Sequence, residues 1–201
     1  MWLGKRLFDI VFSALGLIVL SPVFLVIAIW IKMDDSAGPV FFRQKRVGLH
    51  QKDFYIHKFR TMYVDAEKRG LKITVGHDPR ITKSGHFLRK FKIDEFPQLI
   101  DVFIGKMSIV GPRPEVPQYV AEYPEEKRNK LFKMKPGITD WASVMFKNEN
   151  EILSQSQDPE KTYIKEILPI KISYYEKYLE QASLFTDVRI ILLTLKEIFI
   201  R

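Results

Sequence analysis

Between Ile10 and Ile31 the chain runs for about 22 positions without a charged side chain. That is close to the roughly 20 residues an α-helix needs to cross a bilayer core. The run exceeds the roughly 7–15 apolar residues of a secretory signal, and it closes on bulky Trp30 and Ile31 rather than on small cleavage-site residues. Ser21-Pro22 lies near its middle. A proline inside a helix removes one backbone hydrogen bond and crowds the preceding turn, so a kink is expected there. The Ser21 hydroxyl is available to satisfy the carbonyl that Pro22 frees. Both flanks are basic, with Lys5 and Arg6 before the run and Lys32, Arg43, Lys45 and Arg46 after it. Two basic flanks favour a re-entrant hairpin with both ends on the cytoplasmic side, although an ordinary spanning helix with a tolerated proline fits the same residues. In either geometry Lys5 and Arg6 are expected at lipid phosphates.

After this run the pattern changes to short elements. Val40 to Gln44 and Asp53 to Phe59 read as strands joined through Gly48-Leu49-His50-Gln51, a β-hairpin. Val64 to Ile81 is irregular, broken by Gly70, Gly76 and Asp78-Pro79. Ser84 is positioned to cap a short helix through Phe91, and a second helix is expected from about Asp94 to Phe103, ended by Gly105. Met107 to Pro117 is a proline-stiffened loop, and Lys135-Pro136-Gly137 a turn. Helix is expected from Val116 to Phe132, interrupted at Pro124, and from Tyr163 to Leu179, broken at Pro169. Asp187 to Arg201 is apolar around most of a helix, with Arg189 and Lys196 on one stripe. This last pattern fits a buried core helix or, as the alternative, a helix in the membrane interface. The fold class expected is α+β: mostly helical, with a small β-hairpin, an N-terminal kinked re-entrant membrane helix and interfacial amphipathic helices. Residues 1–32 form the membrane element and 33–201 a catalytic domain on the cytoplasmic face.

Composition narrows the chemistry. With 46% apolar and 28% charged residues among 201, the chain supports a packed core. It has no cysteine, which excludes disulfides, a zinc–thiolate site and a cysteine nucleophile. A net charge of +8 suits nucleic acid, anionic lipid or phosphorylated substrates without choosing among them. There is no glycine-rich dinucleotide loop, Walker loop, nucleophile elbow or paired-histidine zinc helix. His77 and His86 read as exposed loop residues.

Three clusters remain as candidate chemistry. In Phe91-Lys92-Ile93-Asp94-Glu95-Phe96-Pro97 two adjacent carboxylates precede a proline that is tolerated in a first helical turn. Asp94 and Glu95 are therefore expected at a helix N-terminus, where exposed amides keep carboxylates ionised, as a nucleophile or metal ligand requires. They point about 100° apart, which favours separate roles over a shared proton. Arg89, Lys90 and Lys92 supply positive charge for a phosphorylated substrate. The competing reading is an ordinary acidic helix cap. In Gly111-Pro112-Arg113-Pro114 two prolines fix the backbone around Arg113, so its guanidinium loses little entropy on meeting a phosphate; a plain surface turn fits as well. In the strands, Lys58 and Arg60 project from one face and are candidates for binding a diphosphate, or form a solvated basic face beside anionic lipid.

Taken in order, these segments resemble the monotopic bacterial phosphoglycosyl transferases, or bacterial sugar transferases. The resemblance rests on Lys5-Arg6, Ser21-Pro22, Gln44-Lys45-Arg46-Val47-Gly48, Lys58-Phe59-Arg60-Thr61-Met62, Asp94-Glu95-Phe96-Pro97-Gln98-Leu99, Gly111-Pro112-Arg113-Pro114 and Lys135-Pro136-Gly137-Ile138-Thr139. It covers nearly the whole chain and implies a helix that enters one leaflet and breaks at Ser21-Pro22. It also implies Asp94 as covalent nucleophile and magnesium-associated residue, Glu95 as a base or orienting group, and Arg113 as a phosphate ligand, with Lys58 and Arg89 adding electrostatic stabilisation. The implied cofactor is Mg2+. The implied partners are a nucleotide, usually uridine, diphosphate sugar donor, an undecaprenyl phosphate acceptor and membrane lipids, with no nucleic acid; a homodimer is compatible with the sequence. The implied location is the cytoplasmic face of the bacterial inner membrane. Because the chain starts almost at the membrane element, it looks like the small form of the family. Asp140-Trp141-Ala142-Ser143-Val144 and Lys147-Asn148-Glu149-Asn150 depart from the Gly-Leu-Ala-Gln-Val or Gly-Trp-Ala-Gln-Val and Asn-Gly-Arg-Asn-like segments of many relatives. Donor specificity is therefore open, with Met145 to Asp158 a candidate for touching sugar or nucleotide. A membrane-anchored metal-dependent phosphohydrolase of nucleotide sugars and a non-enzymatic basic binding module are the competing classes.

Overall fold

The computed structural model describes residues 3–66, 78–146 and 149–199. Among these the chain is mostly helical. A long helix α1 (Leu3–Asp34) is followed by an antiparallel hairpin of β1 (Phe41–Val47) and β2 (Asp53–Phe59). Then come α2 (Lys83–Lys90), a one-turn 3₁₀ helix (Ile93–Glu95) and α3 (Gln98–Phe103). Strand β3 (Ser108–Val110), helices α4 (Pro117–Ala121) and α5 (Glu125–Leu131), and strand β4 (Gly137–Thr139) follow. Short helices α6 (Trp141–Met145), α7 (Glu149–Gln155) and α8 (Pro159–Thr162) lead through a π turn (Tyr163–Ile167) into α9 (Leu168–Gln181) and α10 (Leu184–Phe199). Gly70, Gly76, His77 and the Lys147-Asn148 pair lie outside the described residues.

Helix α1 is 32 residues and apolar enough to cross a membrane, about 48 Å at 1.5 Å per residue. The element is not interrupted at Pro22. Its ring leaves the Ile18 carbonyl without an amide, and the Ser21 hydroxyl donates to that oxygen at 2.8 Å. One side-chain bond thus replaces the one the proline removes. Both ends of α1 are fastened to the rest of the chain. Near its start, Lys5 pairs with Asp187 of α10 at 2.5 Å, and Asp9 accepts from the Ser108 hydroxyl and the Ile109 amide. Near its end, Ile27 and Ile31 pack with Phe59 and Leu88, and Asp34 accepts from the Ser84 amide and hydroxyl. The outward face stays exposed and apolar, with Leu7, Val11, Leu15, Ile18, Val26 and Ile29 all open.

The hairpin forms where the alternation predicts it, two residues longer on its first strand. Other boundaries moved for local reasons. Thr82, not Ser84, caps α2, accepting from the Gly85 amide, while Ser84 is taken by Asp34. His86 sits exposed on that helix rather than in a loop. The helix expected from Asp94 is divided: Pro97 has no amide to continue the first turn, so a 3₁₀ turn stops and α3 starts behind it. Pro124 separates α4 from α5 as expected. Pro169 does not break its helix. It falls in the first turn of α9, directly after the π turn, where a missing amide costs little.

Two three-residue strands escaped the sequence reading. β3 and β4 pair in parallel, Ser108 with Gly137 and Val110 with Thr139. The proline-rich loop and the Lys135-Pro136-Gly137 turn are therefore two sides of one small ladder. It continues past the strands, because the Gly137 amide donates to Pro112 oxygen at 2.9 Å, one residue before Arg113. Val110 of the ladder packs with Trp141, Val144, Tyr178 and Ile190, while a separate core gathers Tyr119, Tyr123, Leu131, Ile167, Ile172 and Tyr175.

Candidate active site

Asp94 and Glu95 end a helical stretch that cannot run straight. α2 closes at Phe91, and Lys92 adopts a left-handed conformation with φ of 55°. That costs a non-glycine residue about 1–2 kcal/mol, and such strain is characteristic of sites held by their surroundings. The reversal turns the 3₁₀ helix and its two carboxylates toward β2 and the Arg113 loop. Glu95 is then clamped on both oxygens. Lys58 Nζ donates to Oε1 at 2.8 Å, Arg113 Nη1 donates to Oε2 at 3.1 Å, and Arg113 Nη2 also meets Oε1. Lys58 and Glu95 are mostly buried, at 15% and 13% exposed, and Arg113 is open at 33%.

The two acids behave differently. Burial would raise Glu95, but the charges and hydrogen bonds of Arg113 and Lys58 hold it well below the ordinary glutamate range. Asp94 is half-buried and accepts no hydrogen bond or ion pair among the described residues. Burial, then the adjacent Glu95 charge, push it up to about 6, against the pull of Lys58, Arg89 and Arg113. At neutral pH Asp94 is thus an ionised carboxylate with unspent lone pairs among fixed cations. The helix N-terminus expected to hold the two carboxylates is a single 3₁₀ turn, which offers Asp94 too little dipole to offset burial and a like charge. Arg89 lies within the field of Asp94; its Nε donates to the Thr61 hydroxyl at 2.9 Å, and burial lowers its pKa from the ordinary guanidinium value.

Of the residues picked out in the sequence, the structure gathers Lys58, Arg89, Asp94, Glu95 and Arg113. It does not bring Arg60 to them. Arg60 is 5% exposed; its guanidinium meets the Asp35 side chain and backbone oxygen, and its Nε donates to Pro39 oxygen at 2.7 Å. Strand β2 ends at Phe59, so the alternation that paired Lys58 with Arg60 no longer applies, and Arg60 fastens the link after α1 instead. Lys5 is likewise no lipid ligand. It is 1% exposed and buried against Asp187. Arg6 donates to Val102 and Phe103 oxygens at 2.7 and 2.8 Å, capping the carbonyl end of α3, and only its half-exposed remainder faces outward.

Asp94 carries the free oxygens a magnesium ion would need, while those of Glu95 are committed to Lys58 and Arg113. No group of three or more His, Asp or Glu among the described residues forms a cage. Magnesium is commonly held by one or two carboxylates with substrate phosphates and waters completing the shell. The donor set fits an ion shared with a phosphorylated substrate and does not fit an all-protein site.

Arg113 is positioned by backbone contact. A Cβ added at Gly137 would lie 2.1 Å from the Gly111 nitrogen and 2.5 Å from its oxygen. Only glycine lets the β3 and β4 backbones approach this closely, and the ladder leads directly into Pro112-Arg113. Gly137→Ala should cost about 1–3 kcal/mol, as overpacking does, and should lower turnover together with the thermal midpoint, because the Gly111 backbone that must retreat leads into Arg113. A melt and an activity assay on the same sample check this.

Arg46 and Glu115 fall within segments that the sequence singles out, but no role is read for them there, and Tyr163 is not marked as a candidate at all. Arg46 is 3.4 Å from Glu115, whose other oxygen takes the Tyr163 hydroxyl at 2.6 Å, and Arg46 shares the field of Glu95 and Arg113. The signal was present for Glu115, two residues after Arg113, but Tyr163 lies 48 positions further on and nothing local marks it.

Comparison with known proteins identifies the family. The family model for bacterial sugar transferases matches residues 1–201. A UDP-glucose:undecaprenyl-phosphate glucose-1-phosphate transferase of Xanthomonas campestris pv. campestris is 40% identical over 95% of the chain and 38% of that protein. A protein of the same name from Escherichia coli (strain K12) is 35% identical over 98% of the chain and 40% of its own length. The uncharacterized sugar transferase EpsL of Bacillus subtilis (strain 168) is 35% identical over 98% of the chain and 87% of its own length. The chain thus spans about two fifths of the first two relatives and most of the third. With a family model matched from end to end around this carboxylate–arginine cluster, the chain belongs to the bacterial sugar transferase family.

Proposed function

We propose that the protein transfers a sugar phosphate from a uridine diphosphate sugar to undecaprenyl phosphate through a covalent bond to Asp94. The observation that carries this reading is an ionised, unpartnered carboxylate beside a second carboxylate neutralised by Lys58 and Arg113. In the first step an Asp94 oxygen attacks the sugar-bearing phosphorus and a nucleoside monophosphate leaves. In the second a phosphate oxygen of the lipid attacks the same phosphorus and frees Asp94. Lys58, Arg113 and Arg89 stabilise the charge that develops on the transferring phosphoryl group. Glu95 keeps Lys58 and Arg113 in position and raises Asp94, which strengthens it as a nucleophile. A magnesium ion held by Asp94 and the donor's diphosphate would neutralise phosphate charge when bound.

The membrane part of the proposal is that α1 enters one leaflet, bending at Ser21-Pro22, and does not cross. Its two ends are fastened to one domain, through Lys5 and Asp9 at one end and Ile31 and Asp34 at the other, which supports both ends lying on one side. α10 supports an interfacial location as well. Its inner face, with Asp187 and Ile190, is buried, while Phe185, Val188, Leu192 and Leu195 form an exposed apolar stripe. This orientation holds the site at the cytoplasmic surface of the inner membrane, where a soluble donor and a lipid acceptor meet.

Isotope exchange tests the chemistry. With Mg2+ and no lipid acceptor, labelled UMP should enter the UDP-sugar pool, because the first step is reversible and needs no acceptor. A single displacement or a simple phosphohydrolase gives no such exchange. The pH profile of kcat/KM for the donor should fall on the acid side of about pH 6, as protonation removes the Asp94 nucleophile. A profile flat from pH 7 to 5 would argue against Asp94 attacking.

A further inference from the structure

The basic surface extends beyond the residues that clamp Glu95. In the hairpin register Phe42 stands opposite Lys58, Gln44 opposite Ile56 and Arg46 opposite Phe54. Paired residues and every second neighbour share a face, so Arg46 and Lys58 lie on the same side of the hairpin. Lys58 feels the charge of Arg46, and both feel Arg113. The Arg46 side chain is 14% exposed. A guanidinium has five N–H donors, yet Arg46 spends few. Its Nη2 donates to Gln44 Oε1 at 2.6 Å, its Nη1 reaches Glu115 Oε1 only at 3.4 Å, and its Nε is buried without a partner. Glu115 is otherwise engaged, accepting from the Tyr163 hydroxyl at 2.6 Å and the Val116 amide at 3.2 Å. Arg46 is therefore a mostly buried cation with unused donors, next to two more cations, and a buried N–H left unpaired is costly unless something fills it.

Building on the function proposed above, we propose that Arg46 binds the second phosphate of a nucleoside diphosphate donor, the one that leaves with the nucleoside. Lys58 and Arg113 hold the phosphate that Asp94 attacks. As the Asp94 oxygen bonds to phosphorus, the bond from that phosphorus to the bridging oxygen breaks. The electron pair stays on the bridging oxygen, now part of the monophosphate, and Arg46 offsets the charge that appears there. Glu115 and Tyr163 are positioning residues, acting through Arg46.

Calorimetric titration of the full chain in lipid nanodiscs with Mg2+, using inorganic pyrophosphate and orthophosphate as probes, tests this. Arg46→Gln should weaken pyrophosphate by about tenfold or more, the scale of a charge-assisted hydrogen bond, and leave orthophosphate within about twofold. Arg113→Gln should weaken both. Tyr163→Phe, which keeps the ring in its packed place, should give a smaller loss confined to pyrophosphate, and it decides the matter if Arg46→Gln does not fold. Equal losses for the two probes, or none, overturn the assignment of Arg46 while leaving the phosphate site intact. Wild-type protein that binds neither probe overturns the parent reading and this one with it.

Discussion

Asp94→Asn should abolish turnover and UMP exchange and at the same time make the protein more stable. The two effects share one cause. Holding Asp94 ionised among buried groups and beside Glu95 pushes it up to about 6. Each tenfold change in acidity corresponds to about 1.4 kcal/mol, so the charged side chain costs the folded state up to about 3 kcal/mol relative to the unfolded chain. The sign follows from linkage. A carboxyl raised in the fold is a full liability above about pH 6, where both states are ionised, and none below the ordinary aspartate value, where both are protonated. The Asn variant should therefore melt higher at pH 7 in chelator-containing buffer, and its advantage should shrink as pH falls from 6 toward 4. For a chain of this size 1 kcal/mol moves the midpoint by roughly 2–4 °C, so the difference is measurable. Equal melting temperatures at pH 7 would mean that Asp94 is not held against its preference, and the argument for its reactivity would lose its footing.

Much of this site could be read along the chain, and the failures have a common origin. Adjacent Asp94 and Glu95 before Pro97 stood out because their chemistry is local. So did Arg113 between prolines and the hairpin around Gly48. What could not be read was which distant charge each charge meets. Lys58 reaches Glu95 across 37 positions and Lys5 reaches Asp187 across 182. A basic residue beside an apolar run or at the end of a strand has the same local pattern whether it reaches for a phosphate or for a buried carboxylate, so the sequence points Lys5 and Arg60 outward when both turn in. The β3–β4 ladder escaped for a related reason. Three-residue strands carry almost no periodicity, and parallel partners 29 positions apart leave no turn signal between them.

The inward turn of Lys5 leads to the largest expected loss of stability. Lys5 stands between two carboxylates that are 0% exposed, Asp9 on its own helix and Asp187 on α10. Asp187 also accepts from the Tyr178 hydroxyl at 2.7 Å, which in turn reaches Val110 oxygen. One ammonium thus joins the start of α1 to α10 and, through Tyr178, to β3. Removing one partner of a buried pair costs about 3–5 kcal/mol because the other is left uncompensated. Lys5→Met should fall at the upper end, since two carboxylates would then face each other without their shared cation. Asp187→Ala should fall lower, because Asp9 remains near Lys5. Acidification, which neutralises carboxylates, should narrow the gap between Lys5→Met and wild type and leave that of Asp187→Ala wider, and this ordering separates electrostatic loss from lost packing. Pairing Lys5→Met with Asp187→Leu should recover most of the stability, as apolar replacement of a whole buried pair commonly does. Thermal melts in detergent at two pH values read all three variants. If Lys5→Met melted within a degree or two of wild type, Lys5 would have to be out at the membrane surface after all, and the start of α1 would be free of the domain that is argued to hold it on one side of the bilayer.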